Sequence, residues 1–222
     1  MNKIAQTPPM GWNSWNRFNR NINESLIREI ADAMTASGLA DAGYTYIVLD
    51  DFWHADTRDA DGFPRCDSAR FPSGMKALAD YVHDRGLKLG IYSCAGRKTC
   101  GGRFGSFGHE YQDALQYARW EIDYLKYDWC NSKNINPIGA YTLMSEALRA
   151  AGRPIFFALC EWGDNQPWDW AEPLGHSWRT TGDIACSFEQ EGAGEYNSVL
   201  RIIDLNAQRR KHAGPGHWND PD

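Results

Sequence analysis

The chain has 222 residues, 42% of them apolar, ten tryptophans and a formal charge of −6. That much apolar material supports a substantial core and excludes a disordered chain, while the acidic balance argues against nucleic acid as the main partner. The longest apolar runs, such as IFFAL at 155–159, fall far short of the roughly 20 residues a spanning helix requires, so no membrane partner is expected.

In chain order, MGWNSW (10–15) is a first short strand candidate, and YTYIVLDD (44–51) is a strand that ends in two aspartates. SGMKALADYVHDRG follows as an amphipathic helix, with Ser73 as N-cap and Gly86 as its stop. LKLGIYS (87–93) is the next strand, and the Gly-rich GGRFGSFG (101–108) reads as a loop. EYQDALQYARWEI is helical in pattern and leads into a strand at 123–128 containing YLKYD. A further helix, IGAYTLMSEALRAAG (138–152), precedes the strand PIFFALCEW (154–162). HSWRTTGD (176–183) is a sixth strand, 194–212 is expected to be mostly helical, and GPGHWNDPD carries a seventh strand at the end of the chain.

Short strands alternating with helices imply a parallel sheet with right-handed crossovers, which both doubly wound sheets and (β/α)8 barrels satisfy. The strand ends decide between them. Asp50, Asp51, Tyr92, Lys126, Asp128, Glu161, Arg179 and Asp183 all fall at or just after C-terminal strand ends. In a barrel those ends converge on one mouth, whereas along an open crest they could not all meet one small ligand. The expectation is one α/β domain over residues 1–222, a (β/α)8 TIM barrel that is incomplete, with about seven strands and its C-terminal part missing.

YLKYDWC (124–130) poses the chemical question. Alternate strand residues share a face, so Leu125 and Tyr127 pack on one side while Lys126 and Asp128 share the other. Two readings stay open: a structural ion pair plugging the barrel, or a carboxylate whose pKa is lowered by its lysine for work at the mouth. Asp183 follows RTTG, where a loop would leave it less well paired and able to hold a proton. One ionised and one protonated carboxyl group is what glycoside hydrolysis needs. The bland readings stand beside this. Asp50 and Asp51 are also consistent with solvated loop charges, Glu161 and Arg179 with a pair of their own, and each tryptophan with packing. The crowding of tryptophans near strand ends favours a carbohydrate site.

Other chemistries find little support. No His-x-His or Cys-x-x-Cys spacing points to a metal, and none is expected as a cofactor. The 101–108 loop lacks the Gly-Lys-Ser/Thr end of a phosphate loop, and no GxSxG elbow occurs. Asn23-Glu24-Ser25 fits a glycosylation sequon, a match common by chance. The opening MNKIAQTPPM has no apolar signal stretch, which makes cytoplasmic the simplest expectation, with secretion as the alternative.

Seven motifs in order, PPMGWNSWNRF, YIVLDDFW, FPSGMKALADYVHDRGLKLGIYS, YLKYDWC, CEWG, WRTTGDI and GPGHWNDPD, resemble the α-galactosidases of glycoside hydrolase family 27 over residues 7–222. The resemblance implies a (β/α)8 catalytic barrel followed by a β domain. It also implies retaining hydrolysis of terminal α-galactosides without a cofactor. By it, Asp128 matches the nucleophile and Asp183 the general acid and base, with carboxyl groups roughly 5 Å apart in retaining enzymes. Asp50 and Asp51 match the pair that binds the 6- and 4-hydroxyls of galactose, and Lys126 the contact to the 3- and 4-hydroxyls. Glu161, Arg179 and Asp222 match positions around the 2- and 3-hydroxyls, Trp15 and Tyr92 an aromatic wall and rim, and Cys100 and Cys130 a disulfide beside the nucleophile loop. The implied partner is a galactose-containing oligosaccharide or glycoconjugate.

Keeping Glu161 argues for galactose over N-acetylgalactosamine, and keeping Asp51 leaves room for a hydroxymethyl group that arabinopyranoside-selective relatives exclude. The sequence departs from the family where many relatives join the first loop to the residue after the aspartate pair by a disulfide. Here those positions are Arg20 and Phe52. The expected bridge at Cys100 and Cys130 would itself prefer an oxidising compartment.

Overall fold

The computed structural model describes residues 4–189 and 197–222. Seven strands form one sheet: β1 (Gly11–Asn13), β2 (Tyr46–Leu49), β3 (Lys88–Cys94), β4 (Tyr124–Asp128), β5 (Phe156–Cys160), β6 (Ser177–Arg179) and β7 (Trp218–Asp220). Every neighbouring pair is parallel and the spatial order is the chain order. A doubly wound sheet would reverse direction at a switch point. Strict succession is the order of a barrel wall. The helices are α1 (Trp15–Phe18), α2 (Glu24–Ala36), α3 (Gly74–His83), α4 (Glu110–Arg119), α5 (Pro137–Ala150) and α6 (Val199–Ala207).

The two-residue period sorts the strands into an outer and an inner face. Ile47, Leu49, Leu89, Ile91, Leu125, Tyr127, Phe157, Leu159 and Trp178 point outward and are buried. They belong to one core with Ile27, Ala31 and Met34 of α2 and with Met75, Leu78, Ala79 and Val82 of α3. Each such side chain contributes about 1.5–3 kcal/mol by leaving water, which is why the amphipathic helices dock on this face.

The inner face is apolar below and polar above. Tyr124 and Phe156 stack with ring centroids 5.0 Å apart, and Tyr46 lies 5.5 Å from Tyr124. Gly90 makes room for this plug, since a Cβ there would lie 2.9 Å from Val48 Cγ2 and 3.0 Å from Tyr124 Cβ. Trp218 Nε1 and Gly216 N–H both donate to the Ala5 carbonyl, at 2.8 and 2.7 Å, tying the segment before β1 to the start of β7. One register step above the plug the same inner positions become Tyr92, Lys126 and Ala158. The next step brings Asp128 and Cys160.

The sequence reading did not anticipate α2. Its N-cap is Asn23, whose side chain accepts from Leu26 N–H at 2.9 Å. The amide that resembles a glycosylation acceptor is thus also a capping group. Gly86 stops α3 with φ of +71°, but Ser73 makes no side-chain cap; its N–H instead donates to Glu24 Oε2 at 2.9 Å. The expected helix at 194–212 is realised as α6 and a short 3-10 turn at Arg210–His212, with 194–196 outside the described residues.

Candidate active site

At the C-terminal ends of the strands lies a cavity of about 450 Å³. Asn13, Asp50, Tyr92, Lys126, Asp128, Cys160, Arg179 and Asp220 line it, so a residue on or just after each of the seven strands reaches one space. This is the test of curvature, and the sheet passes it. Of the sequence-predicted residues, Trp15, Asp50, Asp51, Tyr92, Cys100, Lys126, Asp128, Arg179, Asp183 and Asp222 line the cavity, whereas Glu161 and Cys130 do not.

Asp50 and Asp51 are buried, not solvated loop charges. Asp50 Oδ2 accepts from Lys126 Nζ at 2.8 Å and from Asn13 Nδ2 at 2.9 Å, and its Oδ1 accepts the Asp51 N–H at 2.9 Å. Lysine 126 therefore pairs with the end of β2 and not with Asp128 two residues along its own strand. Burial pulls the Lys126 pKa down, but Asp50 first, then Cys160 and Asp128, push it up by more, and the amine stays charged. Asp51 accepts the Phe52 N–H at 2.8 Å on Oδ1 and the Gly101 N–H at 2.7 Å on Oδ2. Position 101 requires glycine here, because a Cβ would come within 2.4 Å of Phe52 Cζ and 2.8 Å of Asp51 Oδ2. Burial, with some help from the Asp50 charge, raises the Asp51 pKa against these donors.

Asp128, at the end of β4, is buried; its Oδ1 accepts the Trp129 N–H at 2.8 Å and its Oδ2 accepts the Tyr92 hydroxyl at 2.8 Å. Cys100 Sγ lies 3.2 Å from Oδ2, and a disulfide joins Cys100 to Cys130 with Cα atoms 5.1 Å apart. The lowered pKa expected from Lys126 is not what the site produces. Burial dominates and raises it, while Lys126, the Trp129 N–H and Tyr92 hold the shift down. Tyr92 lines the cavity and donates a hydrogen bond to this carboxylate.

Arg179 on β6 is shared between two acids. Its Nη2 donates to Asp183 Oδ1 at 3.0 Å and its Nη1 lies 2.8 Å from Asp222 Oδ1. The loop after β6 turns Asp183 back over the arginine, so the carboxylate expected to be under-paired has a cation. Its side chain stays 53% exposed toward the mouth. Glu161 does not pair with Arg179. Its Oε1 accepts from Asn165 N–H and Nδ2 at 2.6 and 2.5 Å, and Oε2 is buried without a partner. Burial, opposed by Asn165, lifts its pKa to about 7.

The aromatics divide. Trp15 and Trp162 line the cavity, while Trp53 and Trp178 are wholly buried packing residues. The structure also adds Asn13, Asn16, Cys160, Trp162 and Asp220 to the lining. Asp220 sat in plain view in WNDPD, and Asn13 could have been found by pairing β1 with Val48 in register. At the two positions where the family resemblance implies a second disulfide, the Arg20 guanidinium lies 5.4 Å from the centre of the Phe52 ring. Among the described residues, two groups approach metal-ligand spacing. Cys100 and Cys130 in the first are bonded to each other, and in the second Lys76 stands between Asp80 and Glu121.

The fold and the cavity together define a parallel α/β barrel domain with an acidic, aromatic-walled pocket at its strand C-termini. The alpha galactosidase A family model, the melibiase family, matches residues 7–222, and the chain belongs to that family. It is 60% identical over 223 residues to alpha-galactosidase A of Cellvibrio japonicus, covering 99% of this chain and 55% of that protein. Alpha-galactosidase I from Mortierella vinacea superposes with a TM-score of 0.96 at 40% identity, over 100% of this chain and 60% of that one. The Saccharomyces cerevisiae α-galactosidase structure with raffinose gives a TM-score of 0.96 at 38% identity, over 100% and 53%. The chain thus spans between half and two thirds of the length of these relatives.

Proposed function

We propose that the protein containing this chain hydrolyses terminal α-D-galactosides with retention of configuration, by double displacement at the cavity above β1–β7. The observation that carries this reading is the setting of Asp128: buried on the cavity floor, with donors on both oxygens and the Lys126 ammonium bound to the neighbouring Asp50. A carboxylate so held is fixed in orientation, and burial strips it of water, which suits a nucleophile.

In this reading Asp128 attacks the anomeric carbon while Asp183, half-exposed at the mouth, protonates the departing glycosidic oxygen. The glycosyl ester then yields to water deprotonated by Asp183, which regenerates both groups. Asp50 and Asp51 as a pair receive the 6- and 4-hydroxyls, with Asp51 beside the hydroxymethyl group, and Lys126 reaches the 3- and 4-hydroxyls. Arg179 and Asp222 serve the 2- and 3-hydroxyls. Arg179, which lines the cavity, has a buried Nε without a partner, and a sugar 2-hydroxyl would satisfy such a group. Trp15 and Trp162 flank the pyranose.

The test is hydrolysis of an aryl α-D-galactopyranoside by the full natural protein beside its Asp128→Asn variant. Turnover that falls by about three orders of magnitude or more in the variant supports the assignment. Turnover that survives the substitution, or none in the natural protein, would refute it.

A further inference from the structure

His54 is a buried titratable group behind the site for which this mechanism has no use. It follows Asp51 by three residues in DDFWH, is fully buried, and does not line the cavity. Its ring stacks on Trp53 with centroids 3.9 Å apart and meets the edge of Phe104 at 5.0 Å. Neither ring nitrogen has a hydrogen-bond partner, yet Nδ1 lies 3.7 Å from Asp51 Oδ1. A neutral imidazole carries one N–H and one lone pair, and a buried N–H without an acceptor is costly. Packing alone would be served better by phenylalanine.

The surroundings fix the charge state. Burial lowers the His54 pKa well below its ordinary value, and the Arg58 and Arg103 guanidiniums lower it further. Arg58 is committed to Asp113 and to the Gly105 carbonyl, and Arg103 to Asp56, so both cations are held in place. An imidazolium here would face two positive charges; the ring can act on Asp51 only as a neutral donor. The Asp51 carboxylate is buried beside the charge of Asp50, and its donors, the Phe52 and Gly101 N–H groups and the Thr99 side chain, do not offset its burial.

We propose that His54 is a positioning residue for Asp51, approaching from outside the cavity with the Nδ1 proton directed at Asp51 Oδ1. The 3.7 Å approach lies just outside hydrogen-bond length, so a small shift of either side chain closes it. His54 thereby holds Asp51 for the hydroxymethyl group of galactose and contributes to the choice between a hexose and a pentose. This inference rests on the assignment of Asp51 to the 6-hydroxyl.

The experiment compares His54→Phe, which keeps the ring and its stack, with His54→Asn, which keeps a donor near the Nδ1 position. Each is assayed in the full natural protein on nitrophenyl α-D-galactopyranoside and on nitrophenyl β-L-arabinopyranoside, the same ring without its hydroxymethyl group. The phenylalanine variant should lose roughly ten-fold or more in kcat/KM on the galactoside, the effect of one hydrogen bond to a charged group. Its loss on the arabinoside should stay below about three-fold, the asparagine variant should regain most of the difference, and an Asp51→Asn background should abolish it. Equal losses on both sugars, or an asparagine variant no better than phenylalanine at matched thermal stability, would overturn the proposal. ¹⁵N NMR of the histidines tests it without turnover: a neutral, Nδ1-protonated His54 is expected between pH 5 and 8, and an Nε2-protonated or cationic ring overturns it. A natural protein that hydrolyses neither sugar while the NMR shows the Nδ1 tautomer would sink the proposed activity and leave the His54–Asp51 contact standing.

Discussion

Replacing Lys126 with methionine isolates the ion pair on which the upper layer of the barrel is built. The Nζ–Oδ2 distance to Asp50 is 2.8 Å, with side chains 22% and 3% exposed. At an effective dielectric near 20 the bare attraction is about 6 kcal/mol, offset in large part by the desolvation of both groups. Removing one member of a buried pair typically costs about 3–5 kcal/mol, because the other charge is left uncompensated. Asp50 retains donors from Asn13 and the Asp51 N–H, which places Lys126→Met at the lower end, about 3 kcal/mol. For a domain of this size that is a fall in Tm of about 6–12 °C. Adding Asp50→Asn removes the stranded charge while keeping the contact with Asn13, and the double variant should recover about 2 kcal/mol of the loss. Urea unfolding followed by tryptophan fluorescence measures all three. A double variant as unstable as the single one would refute the reasoning, because the loss would then come from packing and not from an orphaned carboxylate.

Two further outcomes follow from the same site. Glu161 has a folded pKa raised to about 7 against an ordinary 4.5, so the stability tied to its protonated form is fully present below about pH 4.5 and lost as pH rises through 7. Glu161→Gln should therefore flatten the decline in Tm between pH 5 and 8, an effect on the order of 3 kcal/mol, and an unchanged slope would count against it. Breaking the Cys100–Cys130 bridge with paired serines frees a loop with a sequence separation of 30, which costs about 3.5 kcal/mol in the chain-entropy account. Because Cys100 Sγ lies against Asp128, calorimetry should show the lower Tm and the assay a lower kcat together; a stability loss with full kcat would separate the bridge from the nucleophile.

The barrel was legible because short apolar strands alternate with amphipathic helices and carry their charged residues at their C-terminal ends. The two acids after YIVL and the charged pair in YLKYD stood out against apolar runs that had no other use for them. Partnership was not legible. Lys126 and Asp128 share a face and a strand, but parallel register sets Lys126 beside Tyr92 and Ala158, and its amine reaches across to Asp50. The direction of the Asp128 shift was misjudged for a related reason: neighbours in sequence advertise charge, whereas desolvation depends on the whole enclosing wall. α2 was missed because its amphipathic run begins at an asparagine already assigned another meaning. His54 gave no signal at all in sequence, since a histidine beside a tryptophan near a strand end reads as packing.

The central claim is that Asp128 forms a covalent bond to the sugar, and trapping that bond tests it most directly. The full natural protein is incubated with a fluorinated α-galactosyl donor whose ester intermediate hydrolyses slowly, then digested and mapped by mass spectrometry. The account predicts one galactosyl adduct, on Asp128 in the peptide containing YLKYDWC. An adduct on Asp183 or another residue, or turnover to the inverted anomer with no adduct, would contradict it.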